Sequence, residues 1–349
     1  MDSDINYWSP QEYSMNKLFL HSEKVQSILG VIEQKDDCDY TYPLSVDVHL
    51  TNRCNLKCEW CTDRDINLGR EQMDRAIALM LIQELAQMGC GITLEGGGEP
   101  TVYPYFEEVI RAGNDFHASM GLITNGVKNI SAFINSFKWV RISLDASCKG
   151  EYLTEKGVDC FESVLENIKS YKEVRNSKST FLGVGYVLTK RNYSCIEELI
   201  SFLNECDVDY IYMRPVEGCY HLCPCLEELK ILEMKLLKLT ENMRIKVKVV
   251  KEERYEINNG HLPCVAHSLT SIVHANGDVA CCEKRKHDPQ ILGNINCASY
   301  KEIWNSDKRL RITQQLLQPI SQKGCDVCRL TAYNHLFTDI CGLNTINFI

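Results

Sequence analysis

Between residues 43 and 241 the chain alternates short apolar runs with segments of helical period, and this alternation restricts the fold more than any other feature. "PLSVDVHL" (43–50) alternates apolar and polar side chains, as a half-buried strand does. After a loop, "REQMDRAIALMLIQELAQMG" (70–89) carries apolar residues at helical spacing and closes on Gly89. Further strands are expected at "GITLE" (91–95), "GLIT" (121–124), "WVRISL" (139–144), "FLGVGYVL" (181–188) and "YIYMRP" (210–215). Helices are expected at 104–113, around Ile130 to Phe137, at 160–175, at 194–206 and from residue 225 to 241. Six strands separated by helices require right-handed βα units and a parallel sheet, an α/β fold closing as a partial (β/α)6 TIM-like barrel. Residues 1–43 read as a polar, loosely helical lead-in and 44–250 as the barrel. The polar "KEERYEINNGHLP" opens a smaller domain, 251–349.

Composition narrows the function. Lys plus Arg total 38 against 47 Asp plus Glu, a net charge of −9, so there is no broad positive field for nucleic acid or anionic membranes. The N-terminus "MDSDINYWSPQEYS" lacks the pattern of a secretory signal, and no run of about 18 apolar residues occurs. A cytoplasmic protein is expected. Nineteen cysteines stand out, and in a leaderless chain they suggest reduced thiols and metal ligation rather than disulfides. Cys90, Cys160, Cys195 and Cys206 are scattered through helix-like or strand-like segments and read as small buried hydrophobes.

The clustered cysteines differ. "HLTNRCNLKCEWCTDRD" (49–65) spaces Cys54, Cys58 and Cys61 by three and then two residues, directly after the first strand. That is the carboxyl face, where barrels of this kind do chemistry. Three thiolates leave the four-ligand shell of a structural zinc incomplete. They suit three irons of a [4Fe–4S] cube whose fourth iron stays open. A zinc loop or incidental thiols are the alternatives.

This CxxxCxxC loop resembles the signature of the radical S-adenosylmethionine (radical SAM) superfamily, and Trp60 matches the aromatic residue common before its third cysteine. The resemblance implies that the open iron binds SAM and that a 5′-deoxyadenosyl radical abstracts a substrate hydrogen. Gly97-Gly98-Glu99-Pro100 is similar to the GGEP element whose backbone meets the SAM amino group. By the same resemblance Asn125, Ser143 and Asp145, at the ends of strands three and four, reach the SAM carboxylate and ribose. Strand five and Arg214 on strand six flank the adenine. Each polar residue also reads as a turn or capping residue.

A second set lies in "CVAHSLTSIVHANGDVACC" (264–282) and "GCDVCR" (324–329). The spacing from Cys264 through Gly277 to Cys282, then Cys325 and Cys328, resembles the C-terminal extension of SPASM/Twitch radical SAM enzymes. "LGNINCASYKEIWNS" (292–306) is similar to its connecting segment. A full SPASM domain has further cysteines where this chain has Asn334 and Thr338, so the resemblance implies the shorter Twitch form. That form has one auxiliary [4Fe–4S] cluster on Cys264, Cys282, Cys325 and Cys328. Cys281 competes with Cys282, and a four-cysteine zinc site is the alternative.

Three reactions follow from the resemblance. One is dehydrogenation of a sugar or aminocyclitol alcohol, with the auxiliary cluster as electron acceptor and flavodoxin or ferredoxin as reductant. Another is epimerisation of a sugar or peptide residue, with a thiol returning hydrogen; Cys148, Cys219, Cys223 and Cys225 are the candidates. A third is crosslinking of a peptide. About 43 residues before the barrel are fewer than a leader-binding winged-helix domain needs, which counts against crosslinking. His221, His267, His274 and His335 are candidate bases.

Overall fold

The structure, a computed structural model, describes residues 16–33, 41–64, 69–193, 196–250, 263–283, 291–317, 328 and 330–341. It forms two compact units. The larger comprises Val46–Tyr255 with Val273–Gly277; the smaller comprises Met1–Ser45, Glu256–Ile272 and Asp278–Ile349.

In chain order the first elements are α1 (Ser22–Ile32), β1 (Ser45–Val48), α2 (Arg75–Gln87) and β2 (Gly91–Leu94). Then come α3 (Phe106–Asp115), β3 (Ser119–Thr124), β4 (Trp139–Ser143), α4 (Lys149–Lys156) and α5 (Phe161–Val174). They are followed by β5 (Phe181–Leu188), α6 (Ile196–Glu205), β6 (Tyr210–Pro215), α7 (Leu226–Leu239) and β7 (Lys246–Val249). The last are β8 (Thr270–Val273), β9 (Asp278–Ala280), β10 (Gly293–Asn294), α8 (Tyr300–Trp304), α9 (Asp307–Leu316) and α10 (Thr331–Cys341).

The larger unit is the expected parallel α/β sheet. Its strands run β1-β2-β3-β4-β5-β6-β7, with every pair from β2/β3 to β6/β7 parallel. Covered on both faces, the central strands are almost continuously apolar: on β5 only Phe181 and Gly185 are not fully buried. Helices present the side chains their period requires. α2 buries Ala78, Leu81, Ile82 and Leu85; α5 buries Phe161, Val164, Ile168 and Tyr171. Each Leu, Ile, Val or Phe among them contributes about 1.5–3 kcal/mol by leaving water. Asp74 caps α2, its Oδ1 accepting from the amides of Ala76 (2.8 Å) and Ile77 (3.2 Å).

Three elements differ from expectation. The helix expected near 130–137 is only a 3-10 turn, Ile134–Ser136. There the Asn129 side chain accepts from Ser131 N (2.8 Å) and competes with a helical start. A seventh strand, β7, pairs with β6. Between β4 and α5 lies α4, whose C-terminal end shapes the site.

In the smaller unit, β9 pairs antiparallel with β10; Gly277, the last residue of the larger unit's second segment, turns the chain before β9 at φ 91°. The lead-in is part of this unit's core: Leu18 and Ile28 pack with Val265, Ala266, Leu269 and Phe337. A capping box between Ser299 and Glu302 starts α8. Trp304 on α8 donates from Nε1 to Thr41 O (2.9 Å) beneath the Arg309 guanidinium, 4.4 Å from its ring centroid. Among the described residues no helix is long and apolar enough to cross a membrane.

Candidate active site

The chain leaves β1 through a buried stretch, His49 to Asn52, pinned by Met73 N to Leu50 O (3.0 Å) and Asn52 N to Glu71 O (2.8 Å). The cysteine loop starts from this fixed root. Cys54 lies at the surface, and Cys58 and Cys61 are half-buried. Protein packed around its sulfur pushes the Cys54 thiol up to about 11, with Glu99, Cys58 and Cys61 adding to the rise and the Leu56 amide opposing it. That amide donates to Cys54 Sγ at 3.4 Å. Burial also raises Cys58, opposed by the nearby Lys156 cation. The sulfurs are thus gathered closely enough to feel one another. Among the described residues no three His, Cys, Asp or Glu side chains converge on a single ion. Ligands to separate corners of a cluster stand wider apart than ligands to one ion.

α4 holds this loop from one side. Lys57 N donates to Lys156 O (2.8 Å) and Glu59 N to Glu155 O (3.3 Å). Gly157 follows at φ 69°, and a Cβ there would stand 2.9 Å from Lys57 O, so glycine is required at this contact. The Glu155 carboxylate, fully buried, accepts from Trp60 Nε1 (2.7 Å), Thr189 Oγ1 (2.9 Å) and Arg191 Nε (3.0 Å). Arg191 also pairs with Glu59 (2.9 Å).

Beside it Lys156, 1% exposed, forms an ion pair with the fully buried Asp145 and donates to Ser143 Oγ (3.2 Å). Its Nζ lies 5.3 Å from the Trp60 ring centroid. Burial alone would lower this ammonium's pKa, but Asp145 and Cys58 reverse the effect and hold it above the ordinary lysine value. Asp145 sits in the left-handed region (φ 59°) and accepts from Val187 N (2.5 Å) and Ser143 Oγ (2.8 Å).

The glycine stretch closes the other side. Gly98 N donates to Thr51 O (2.8 Å) and Glu99 N to Arg53 O (2.9 Å). A Cβ on Gly98 would fall 2.0 Å from Arg53 O. Pro100 opens a 3-10 turn, Pro100–Val102. The buried Glu99 carboxylate accepts from Thr101 Oγ1 (2.7 Å), Thr124 Oγ1 (2.6 Å) and Asn125 N (2.7 Å). It joins the ends of β2 and β3. Asn125 Nδ2 in turn donates to Asn55 Oδ1 (2.6 Å) in the cysteine loop.

Gly97, Gly98, Glu99 and Asn125 therefore meet the loop on one side, and Ser143 and Asp145 reach it through Lys156 on the other. Arg214 lies farther along the sheet, in register with Val187. Of the thiol candidates, Cys219 and Cys223 pack with Trp60 against Val187, Val216 and Leu222. Cys148 is exposed at the start of α4; Cys225 is exposed at the start of α7, where with Glu228 it forms a capping box. His221 and His335 are exposed. His274 is buried edge-on to His49, with ring centroids 5.2 Å apart, and His267 Nδ1 contacts Cys264 O. In the smaller unit Cys264, Cys282 and Cys328 are partly exposed and Cys281 is 1% exposed; Cys325 lies outside the described residues. Sequence reasoning missed Glu155 and Lys156. Their signal was the Lys156-Gly157 pair closing a short charged segment.

The radical SAM superfamily profile matches residues 48–203, and the profile of SPASM, an iron-sulfur cluster-binding domain, matches 264–329. Fold, cysteine loop and these matches define the class: the chain carries a radical SAM domain at residues 48–203 and a C-terminal SPASM-type domain. Those domains imply a SAM-binding [4Fe–4S] cluster, auxiliary iron–sulfur and SAM itself. The chain is 22% identical over 322 residues to the tungsten-containing aldehyde ferredoxin oxidoreductase cofactor-modifying protein of Pyrococcus furiosus, covering 81% of this chain and 86% of that one. It is 22% identical over 324 residues to the mycofactocin maturase MftC of Mycolicibacterium smegmatis, covering 87% and 80%. In fold it is similar to Streptococcus suis SuiB bound to S-adenosylmethionine, with TM-score 0.64, 18% identity and coverage of 87% and 73%. It is also similar to anSMEcpe with bound AdoMet, with TM-score 0.59, 19% identity and coverage of 82% and 84%.

Proposed function

We propose that this radical SAM enzyme takes a hydrogen atom from a residue of a peptide substrate and returns one from a thiol on the β6–α7 segment, inverting that residue. The observation that carries the reading is the packing of Cys219 and Cys223 with Trp60, the neighbour of Cys61. The fold neighbour SuiB, solved bound to the precursor peptide SuiA, supports a peptide substrate over a sugar.

Cys54, Cys58 and Cys61 would hold the SAM-binding cluster, and Cys264, Cys282, Cys325 and Cys328 the auxiliary one. The donor set suits them: three sulfurs in one loop, with Cys58 and Cys61 adding to the raised pKa of Cys54 and an amide directed at Cys54 Sγ. The near-complete burial of Cys281 favours Cys282 as ligand. Bound, the cluster and SAM supply abstraction of a hydrogen atom from a C–H bond, at the cost of one external electron per SAM.

The protein's own groups position and balance. Ser143 is the candidate contact for the SAM carboxylate, held from behind by the buried Lys156–Asp145 pair. Gly97 and Gly98 offer backbone that no Cβ obstructs, and Arg214 is the candidate contact for the adenine. The Glu99 carboxylate, already holding Thr101, Thr124 and Asn125, shapes this surface from behind. Cys223 or Cys219 holds the hydrogen to be returned. One substrate C–H bond and one S–H bond break and two C–H bonds form, one in 5′-deoxyadenosine and one in the inverted residue. The sulfur regains hydrogen from a solvent proton and an electron of a flavodoxin- or ferredoxin-type donor.

In deuterium oxide the product should carry one carbon-bound deuterium in place of a hydrogen, about one mass unit above the substrate. Cys223→Ser or Cys219→Ser should stop product while 5′-deoxyadenosine still forms; normal product from both single variants would refute the donor. The second reading, a two-hydrogen oxidation with the auxiliary cluster as acceptor, is favoured by the SPASM-type cysteine set. A product lighter by two hydrogens would establish it.

A further inference from the structure

Asn334 on α10 is 7% exposed, and its Oδ1 accepts two backbone hydrogen bonds, from Val265 N and Ala266 N, both at 2.9 Å. Both lone pairs of that oxygen are used. The two amides follow Cys264 directly. α10 itself starts immediately after Cys328: Leu330 N donates to Cys328 Sγ (3.3 Å), and Thr331 Oγ1 donates to Cys328 O (2.7 Å). One turn beyond Asn334, Phe337 packs in the same cluster as Val265 and Ala266. A single amide side chain thus joins the two cysteine-bearing segments, which lie 69 residues apart at this contact.

We infer that Asn334 is a positioning residue for the auxiliary cluster, holding Cys264 and Cys328 in register before any iron binds. This rests on the reading that these cysteines hold a cluster. Four ligands drawn from distant segments must otherwise be brought together at the moment of binding, and outer contacts that fix ligands typically change metal affinity 10–100-fold. In the full SPASM pattern this position is a further cysteine. Here two hydrogen bonds make the crosslink that a thiolate would make through metal. Thr338, also a cysteine position in that pattern, has a buried Oγ1 with no hydrogen-bond partner among the described residues, so it provides no equivalent link.

The test is anaerobic reconstitution of the full chain, read as iron per chain and as the electron paramagnetic resonance signals of the reduced protein. Wild type should hold about eight irons, two four-iron clusters. N334L, similar in volume but unable to accept, should hold about four, with the first cluster's signal and its response to SAM unchanged. N334D, whose carboxylate can accept both amides, should restore about eight, and T338V should stay at about eight. Full iron and the auxiliary signal in N334L, or loss in T338V equal to that in N334L, would overturn the assignment. If N334L fails to fold, N334S decides: a chelator should strip its auxiliary cluster about 10-fold faster than wild type, and equal rates would overturn it. A wild type holding about four irons, unchanged by C264A, would instead refute the auxiliary cluster itself.

Discussion

Replacing Lys156 with methionine removes a cation that is only 1% exposed. Methionine keeps the length and packing of the stem and removes the ammonium. Asp145, fully buried, would keep its hydrogen bonds from Val187 N and Ser143 Oγ but lose its countercharge. Breaking a buried pair from one side costs about 3–5 kcal/mol, far above the roughly 0–1 kcal/mol of a surface pair. The lower end is expected here, because the two remaining hydrogen bonds continue to stabilise the carboxylate. Urea denaturation of the metal-free protein, followed by circular dichroism, should show a loss of about 3 kcal/mol at unchanged slope. The double variant K156M/D145N should recover most of it, since Asn keeps polar contacts without charge and tolerates the left-handed backbone at 145. The sign with pH is fixed by the raised lysine pKa: the pair's stabilisation is complete below the ordinary lysine value of 10.5 and is lost as pH climbs through the higher folded value. A K156M loss under about 1 kcal/mol, or a double variant worse than the single, would refute a pair that stabilises the site.

Other outcomes follow from the loop's neighbours. Glu155→Ala leaves Trp60 Nε1 and Thr189 Oγ1 without their acceptor, at about 1–3 kcal/mol each, and should speed loss of the first cluster to a chelator. Glu155→Gln should fall between it and wild type. Gly98→Ala sets a Cβ against Arg53 O and should leave about four irons per chain, from the auxiliary cluster alone. Because Cys54 sits at about 11 rather than 9.0 in the folded metal-free chain, loading the first cluster must expel a tightly held proton. Its uptake should therefore quicken from pH 7 to 9, and a flat profile by absorbance would show the thiol is not limiting.

Strands with continuous apolar runs were legible in full: β5 and β6 lie where "FLGVGYVL" and "YIYMRP" stand, because burial on both faces leaves little choice of residue. β7 was not. "KVKV" alternates lysine and valine, and only its pairing with β6 makes it a strand. α4 was also missed, since Lys149–Lys156 includes Gly150 and a weak apolar pattern, and its end is fixed by amides of the cysteine loop. The site divides likewise. Cysteine and glycine spacing is a chain-local signal, so Cys54, Cys58, Cys61 and Gly97-Gly98 could be read directly. The contacts of Glu155 with Trp60, 95 residues apart, and of Glu99 with Thr124 exist only after folding.

The backbone bonds from Lys57 and Glu59 to α4 contain no sulfur and no metal. These amide-to-carbonyl bonds and the Glu155 contacts use no iron, so loss of a cluster to oxygen would leave the groups that make them intact. A damaged molecule would then differ from a working one chiefly in its iron. In a cell that is the difference between refilling and replacement: the emptied loop offers a scaffold donor three thiols in place, while a protease finds no newly opened segment there to cut.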